Sequence, residues 1–125
     1  MRFYLAALIL WAAVIFIFSS IPNPPDAGGG DWRYKLAHVF EYAVFGALAL
    51  FTLNRWLPTR APAVLVIAAW TISVLYGMSD ELHQSFVPNR DASWLDVGYD
   101  AIGAALGIAG VLTLSRLRLP SRSEI

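Results

Sequence analysis

A chain of 125 residues in which 58% are hydrophobic and 14% are charged is too apolar to cover a compact soluble domain, so much of its surface must face hydrocarbon. Nine basic residues balance nine acidic ones, which excludes a broad electrostatic attraction to nucleic acid, and the absence of cysteine excludes disulfides and thiol catalysis. The length, with no internal repeat, points to one domain over 1–125.

Four apolar stretches, 3–21, 36–53, 61–79 and 95–114, predict an all-α fold: a polytopic membrane bundle of four transmembrane helices. At about 1.5 Å per residue the first nearly spans a hydrocarbon layer of about 30 Å. Arg2 ahead of it resembles the positive region of a secretion signal, but no small-residue cleavage pattern follows. The sequence SSIPNPP reads instead as an interfacial exit, so the segment is expected to be a retained helix. Residues 23–31, with their prolines and glycines, predict an exposed loop. Trp32 and Tyr34 are rings suited to the interface before the second helix. Arg55, Pro58, Arg60 and Pro62 define a turn short enough to make the second and third helices antiparallel neighbours.

The third helix is expected to run toward Ser79, and Pro88, Asn89, Arg90 and Asp91 mark the loop after it. Ser93 is a candidate N-cap for the fourth helix. That helix carries Gly98, Gly103, Gly107 and Gly110, and Gly103 with Gly107 forms a small-xxx-small pattern that lets backbones approach closely. The pattern suits packing within one chain and leaves homo-oligomerisation through the fourth helix open. Arg2, Arg55, Arg60, Arg116, Arg118 and Arg122 fall on one side of this topology, which the positive-inside tendency assigns to the cytoplasm together with both termini.

Against this apolar background, residues 76–100 read YGMSDELHQSFVPNRDASWLDVGYD. A charged side chain at a bilayer centre costs roughly 2.5 kcal/mol or more, so such a density requires an interface, a polar cleft or a function. On the second helix Lys35, His38 and Glu41 recur every third residue and occupy about a 120° sector, with Glu41 about 9 Å along the axis from Lys35. Asp80 and Gln84 share a helical face, His83 lies near it, and Glu81 is displaced by about 100°. Asp96 and Asp100 form a like-charge pair that needs a cation, a proton or an opposing side chain, for which Lys35 and Arg90 are candidates.

His38, Glu41, Asp80, Glu81, His83 and Asp96 offer nitrogen and oxygen donors for a metal, without the spacing of an HExxH motif. The same groups suit metal-free acid–base chemistry, with a carboxylate orienting an imidazole, and no cofactor is required by the sequence. GMSDE is not a nucleophile elbow, and no phosphate-binding loop or dinucleotide fingerprint is present.

KLAHVFEYAVFGALA, followed by YGMSDELHQSFVPNRDASWLDVGYDAIGAALG, resembles the VanZ-like family over the second to fourth apolar segments. Lys35, His38, Glu41 and Tyr42 match its first landmark; Asp80, Glu81, His83, Gln84 and Phe86 match its second; Pro88, Arg90, Asp96 and Gly103 continue the match. Asn89 stands where the family often has glycine, and Asp100 where it often has asparagine. The resemblance implies a small multispanning protein of the bacterial cell membrane, with teicoplanin resistance known for the namesake and no settled mechanism for the family.

Residues and resemblance together lead to the expectation of an envelope lipid or amphiphile as partner, met in a polar cleft at the extracytoplasmic face. On that reading His38, Glu41, Asp80, Glu81 and His83 are the candidate catalytic groups, while Lys35, Tyr42, Gln84, Arg90, Asp96 and Asp100 contact the ligand. Recognition without catalysis, hydrolysis or transfer by a His–carboxylate pair, and a structural or transport role remain in competition. Four spans without visible repeats give little support to transport.

Overall fold

The computed structural model describes residues 2–22 and 32–118. The glycine-rich loop 23–31, Arg122 and the side chains of Arg116 and Arg118, to which the sequence assigns linker and topology roles, lie outside the described residues. The described residues form four helices: α1 (Arg2–Ser19), α2 (Trp32–Trp56), α3 (Pro62–Gln84) and α4 (Trp94–Arg118). All four are long and apolar enough to cross a membrane.

Two boundaries differ from the apolar pattern in ways that matter for the site. The second helix begins at Trp32, so Tyr34 and Lys35 belong to its first turns instead of preceding it. The third continues through Gln84, so Asp80, Glu81, His83 and Gln84 all lie on regular helix. Hydropathy loses a helix where its residues turn polar; the backbone bonding continues because these side chains are covered by neighbouring helices. Both later helices start on sequence signals. Pro62 opens α3 within its first turn, where no backbone donor is needed, and Ser93 Oγ accepts the Leu95 N–H at 3.2 Å to cap α4.

Side-chain contacts give the helix directions. Tyr4 stacks on Phe51, bringing the start of α1 to the end of α2, while Ser20 and His83 join the ends of α1 and α3. Trp70 Nε1 donates to the Ala101 carbonyl at 3.0 Å, and the Ser93 N–H donates to Glu81 Oε2 at 2.9 Å, so α3 and α4 run antiparallel. The glycines bring α2 and α4 together. A Cβ built on Gly103 would collide with the Val39 backbone, one on Gly107 with Ala43, and one on Gly46 would stand 2.8 Å from the Ala104 carbonyl oxygen. Gly98 and Gly110 have open space where a Cβ would stand. The small-residue stripe is thus used inside the chain, to let two parallel backbones touch.

The exterior is apolar, with Phe3 75%, Leu10 68%, Ile67 64% and Phe40 63% exposed, while Asp100, Gln84, His38 and Glu81 are buried. This reversal of the soluble pattern follows from the solvent: hydrocarbon accepts the apolar faces, and polar groups avoid it by facing one another. An apolar core of Ala49, Leu50, Leu65, Ala69 and Ile108 fills one region of the bundle, and Ile15, Tyr42 and Phe45 form a second nearer the polar end. Trp11 Nε1 donates to the Glu41 carbonyl at 2.8 Å and the Tyr76 hydroxyl to the Ala12 carbonyl at 2.6 Å, holding α1 against both α2 and α3.

Replacing Gly103 by leucine should force α4 off α2 and lower unfolding stability in detergent by about 1–3 kcal/mol or more, whereas Gly110→Ala should change it little. Equal losses at the two positions would contradict the close approach. Asn89 holds a left-handed backbone with φ 59°, which accounts for an asparagine at a position suited to glycine. Asn89→Gly should therefore leave the thermal midpoint unchanged or slightly raised, while Asn89→Val should cost about 1–2 kcal/mol.

Candidate functional site

At the end of the bundle away from Arg55 and Arg60, His38 of α2 meets Asp100 of α4. His38 Nδ1 and Asp100 Oδ1 are 2.7 Å apart, and the residues are 4% and 0% exposed. An ionised carboxylate only accepts, so the Nδ1–H donates to it and the tautomer of a neutral ring is set, with its lone pair on Nε2. Parallel packing through Gly103 makes this contact possible, because a wider separation of α2 and α4 would pull imidazole from carboxylate. Asp100 also reaches α3: its Oδ2 stands 2.8 Å from where a Cβ on Gly77 would lie. A Cβ there would crowd that carboxylate, and Glu81 follows one helical turn later on the same helix.

Glu81 is buried and completes the cluster. Its Oε2 accepts the Ser93 N–H, so it also secures the residue that caps α4. The displacement of about 100° from Asp80 does not send it to lipid, because α3 is covered on one side by α2 and on the other by α4. His38, Glu81 and Asp100 each offer one ligand atom within 4.8 Å of the others, a donor set able to hold a metal ion. Asp80 heads a second group, accepting weakly from Gln84 Nε2 at 3.3 Å and from the Tyr42 hydroxyl at 3.4 Å. The Tyr34 hydroxyl donates to Gln84 Oε1 at 3.4 Å, and its ring stands edge-on to the His38 ring at 4.7 Å between centroids.

A cavity of about 240 Å³ lies beside these groups, walled by α1, α2, α3 and the loop at Arg90. His38, Glu41, Asp80 and Gln84 form its polar wall, while Ile15 and Phe18 of α1 face them with hydrocarbon. Arg90 lies at the rim, its guanidinium 5.8 Å from the centroid of the Tyr34 ring and donating to the Phe18 carbonyl at 3.2 Å. A molecule held here would meet imidazole, carboxylate and guanidinium at one end and apolar side chains at the other.

The structure does not gather every sequence candidate into one place. His83 turns to α1, where its Nε2 lies 2.9 Å from Ser20 Oγ and its ring stacks on Phe16 at 4.5 Å. Lys35 Nζ lies 5.6 Å from the centroid of the Tyr99 ring. Asp96, by contrast, joins the site: buried in the first turn of α4, its carboxylate is within hydrogen-bond reach of the Tyr34 hydroxyl and faces His38, Arg90 and Lys35. Of the Asp96 and Asp100 pair, Asp100 is met by His38, while Asp96 is faced by Arg90 and Lys35, the two cations the sequence offers. Two residues of the site escaped the sequence reading. Tyr34 reads as an interfacial anchor, and Gly77 has no charge to draw notice; a glycine one turn before a glutamate in an apolar helix was the available signal.

Removing Asp100 by Asp100→Ala should leave a buried imidazole without its acceptor and cost about 3–5 kcal/mol of unfolding stability in detergent. Asp100→Asn keeps an acceptor for His38 Nδ1 and should cost clearly less. A double-mutant cycle with His38→Ala measures the coupling directly, and additive losses would show that the two side chains do not support each other.

No curated protein and no solved structure matches the chain. The family model described as VanZ/LLP1 matches residues 3–115, covering all the helical core and every polar group of the site. With that coverage, the chain belongs to the VanZ/LLP1 family.

Proposed function

We propose that this protein is a membrane-embedded hydrolase or transferase that acts on the polar end of an amphiphile. The observation that carries this reading is the buried His38–Asp100 pair beside Glu81, with His38 and Glu41 both on the wall of one cavity. A binding site needs polarity, but it does not need an imidazole held by a buried carboxylate, an arrangement with a high desolvation cost. Acid–base catalysis does need it, because the ring must keep one orientation while its proton state changes.

In the reaction we infer, water or an acceptor hydroxyl attacks an ester or phosphoester of the bound amphiphile, and Glu41 takes the nucleophile's proton. The centre around His38 provides electrophilic assistance, in its simplest form a proton passed from the imidazolium to the leaving oxygen while Asp100 holds the ring. Arg90 at the rim counters negative charge on the substrate or the transition state. Ile15 and Phe18 receive the adjoining hydrocarbon. With basic residues at the opposite end, the positive-inside tendency places both termini in the cytoplasm and this site toward the extracytoplasmic face of a bacterial membrane. An envelope lipid is then the natural substrate, and teicoplanin resistance would arise only if that lipid contributes to the drug's target or access.

Purified protein in nanodiscs, offered ester- and phosphodiester-linked amphiphiles and assayed by mass spectrometry, should release product. Glu41→Gln and His38→Ala should each lower turnover by about 10²–10⁴-fold while ligand binding persists. His83→Ala should have a much smaller effect, since that ring faces α1. Saturable binding with no product from any such amphiphile would favour recognition without catalysis, a reading supported by the mixed polar and apolar walls of the cavity.

A further inference from the structure

We propose that His38, Glu81 and Asp100 together hold a first-row divalent cation, so that the centre of the bundle is a metal site. Three helices contribute one residue each, and their ligand atoms lie within 4.8 Å of one another. An independent observation points to the ligand. Glu81 Oε1 and Asp100 Oδ2 are buried oxygens with no hydrogen-bond partner among the described residues, on residues only 4% and 0% exposed. The other oxygen of each is already used, Oε2 by the Ser93 amide and Oδ1 by His38. Each carboxylate is thus anchored through one oxygen and presents the second inward.

An unsatisfied buried carboxylate oxygen is costly, and two on neighbouring helices repel each other unless a proton or a cation lies between them. With both ionised, even a protonated His38 leaves these three groups with a net charge of about −1, and Asp80 and Asp96 are buried close by on the same helices. A divalent ion would bring the three groups to neutral with an uncharged His38 that carries its proton on Nε2, the ion taking the place of the proton now shared between Nδ1 and Asp100. One imidazole with two carboxylates suits borderline ions such as Zn²⁺ or Mn²⁺ better than Mg²⁺ or Ca²⁺, which favour oxygen alone. Gly77 contributes space: any side chain there would occupy the volume in which Asp100 Oδ2 sits, against the helix that carries Glu81.

The inference deepens the proposed reaction and rests on the same centre, since His38 also lines the cavity. There the cation would act as the electrophile in place of the imidazolium proton, leaving Glu41 as the base.

The full-length protein in detergent, stripped with chelator, can be titrated with Mn²⁺ while free Mn²⁺ is read by electron paramagnetic resonance. One ion per chain is expected, displaced by Zn²⁺, with affinity lowered by at least about tenfold in Glu81→Gln and Asp100→Asn but retained in Glu41→Gln. Asp100→Asn keeps the hydrogen bond that supports the fold, so the test survives if Glu81→Gln does not fold. Absence of Mn²⁺ and Zn²⁺ binding to wild type, or equal affinity in Asp100→Asn, overturns the site. Product formation by metal-free protein would overturn the cation's role as electrophile and leave the acid–base reading standing. Binding of one ion with no turnover of any amphiphile would keep the cation and remove the reaction.

Discussion

Enclosing an imidazole and two carboxylates in a bundle surrounded by hydrocarbon costs several kcal/mol per ion, and the helices are arranged around meeting that cost. His38 and Asp100 meet it for each other at 2.7 Å, Glu81 takes the amide of Ser93, and Gly77 makes room for the aspartate. None of these groups has a satisfactory environment on its own helix. Each is supplied by a neighbour, so polar site and helix packing stabilise one another and neither persists unchanged without the other.

The backbone contact of α2 with α4 is the geometric condition for that exchange. Membrane helices gain little from burying apolar surface, since lipid is equally apolar, and they rely on close packing and hydrogen bonds between helices. Gly46, Gly103 and Gly107 provide the first; Trp11, Trp70 and Tyr76 provide the second by donating to carbonyls on other helices. These contacts run along the bundle, whereas the acidic groups gather toward one end. Packing in one region and chemistry in another let a small protein hold a polar centre without losing its hold on the membrane.

Membership of the VanZ/LLP1 family extends over the whole helical core, and the polar groups of the cavity fall inside that extent. The family name carries no mechanism by itself. What bears on mechanism is the two-sided wall of the cavity: Ile15 and Phe18 on α1, and His38, Glu41 and Asp80 opposite.

The number of helices, their approximate positions, the role of Gly103 with Gly107 and the polar character of the third and fourth helices were legible in the sequence. Each rests on local properties: hydropathy over a span, proline and glycine punctuation, the small-residue spacing, and the cost of charge in lipid. His38, Glu81 and Asp100 were recognisable as unusual, but their grouping was not, because His38 and Asp100 are separated by 62 positions and periodicity relates residues only within one helix. Tertiary structure decided that Asp100 pairs with imidazole while Asp96 is left to Arg90 and Lys35, that Glu81 turns inward and that His83 turns toward Ser20. Sequence thus determined which side chains hydrocarbon would reject. Only the contact of α2 with α4, and the covering of α3 from both sides, determined which of them would satisfy one another.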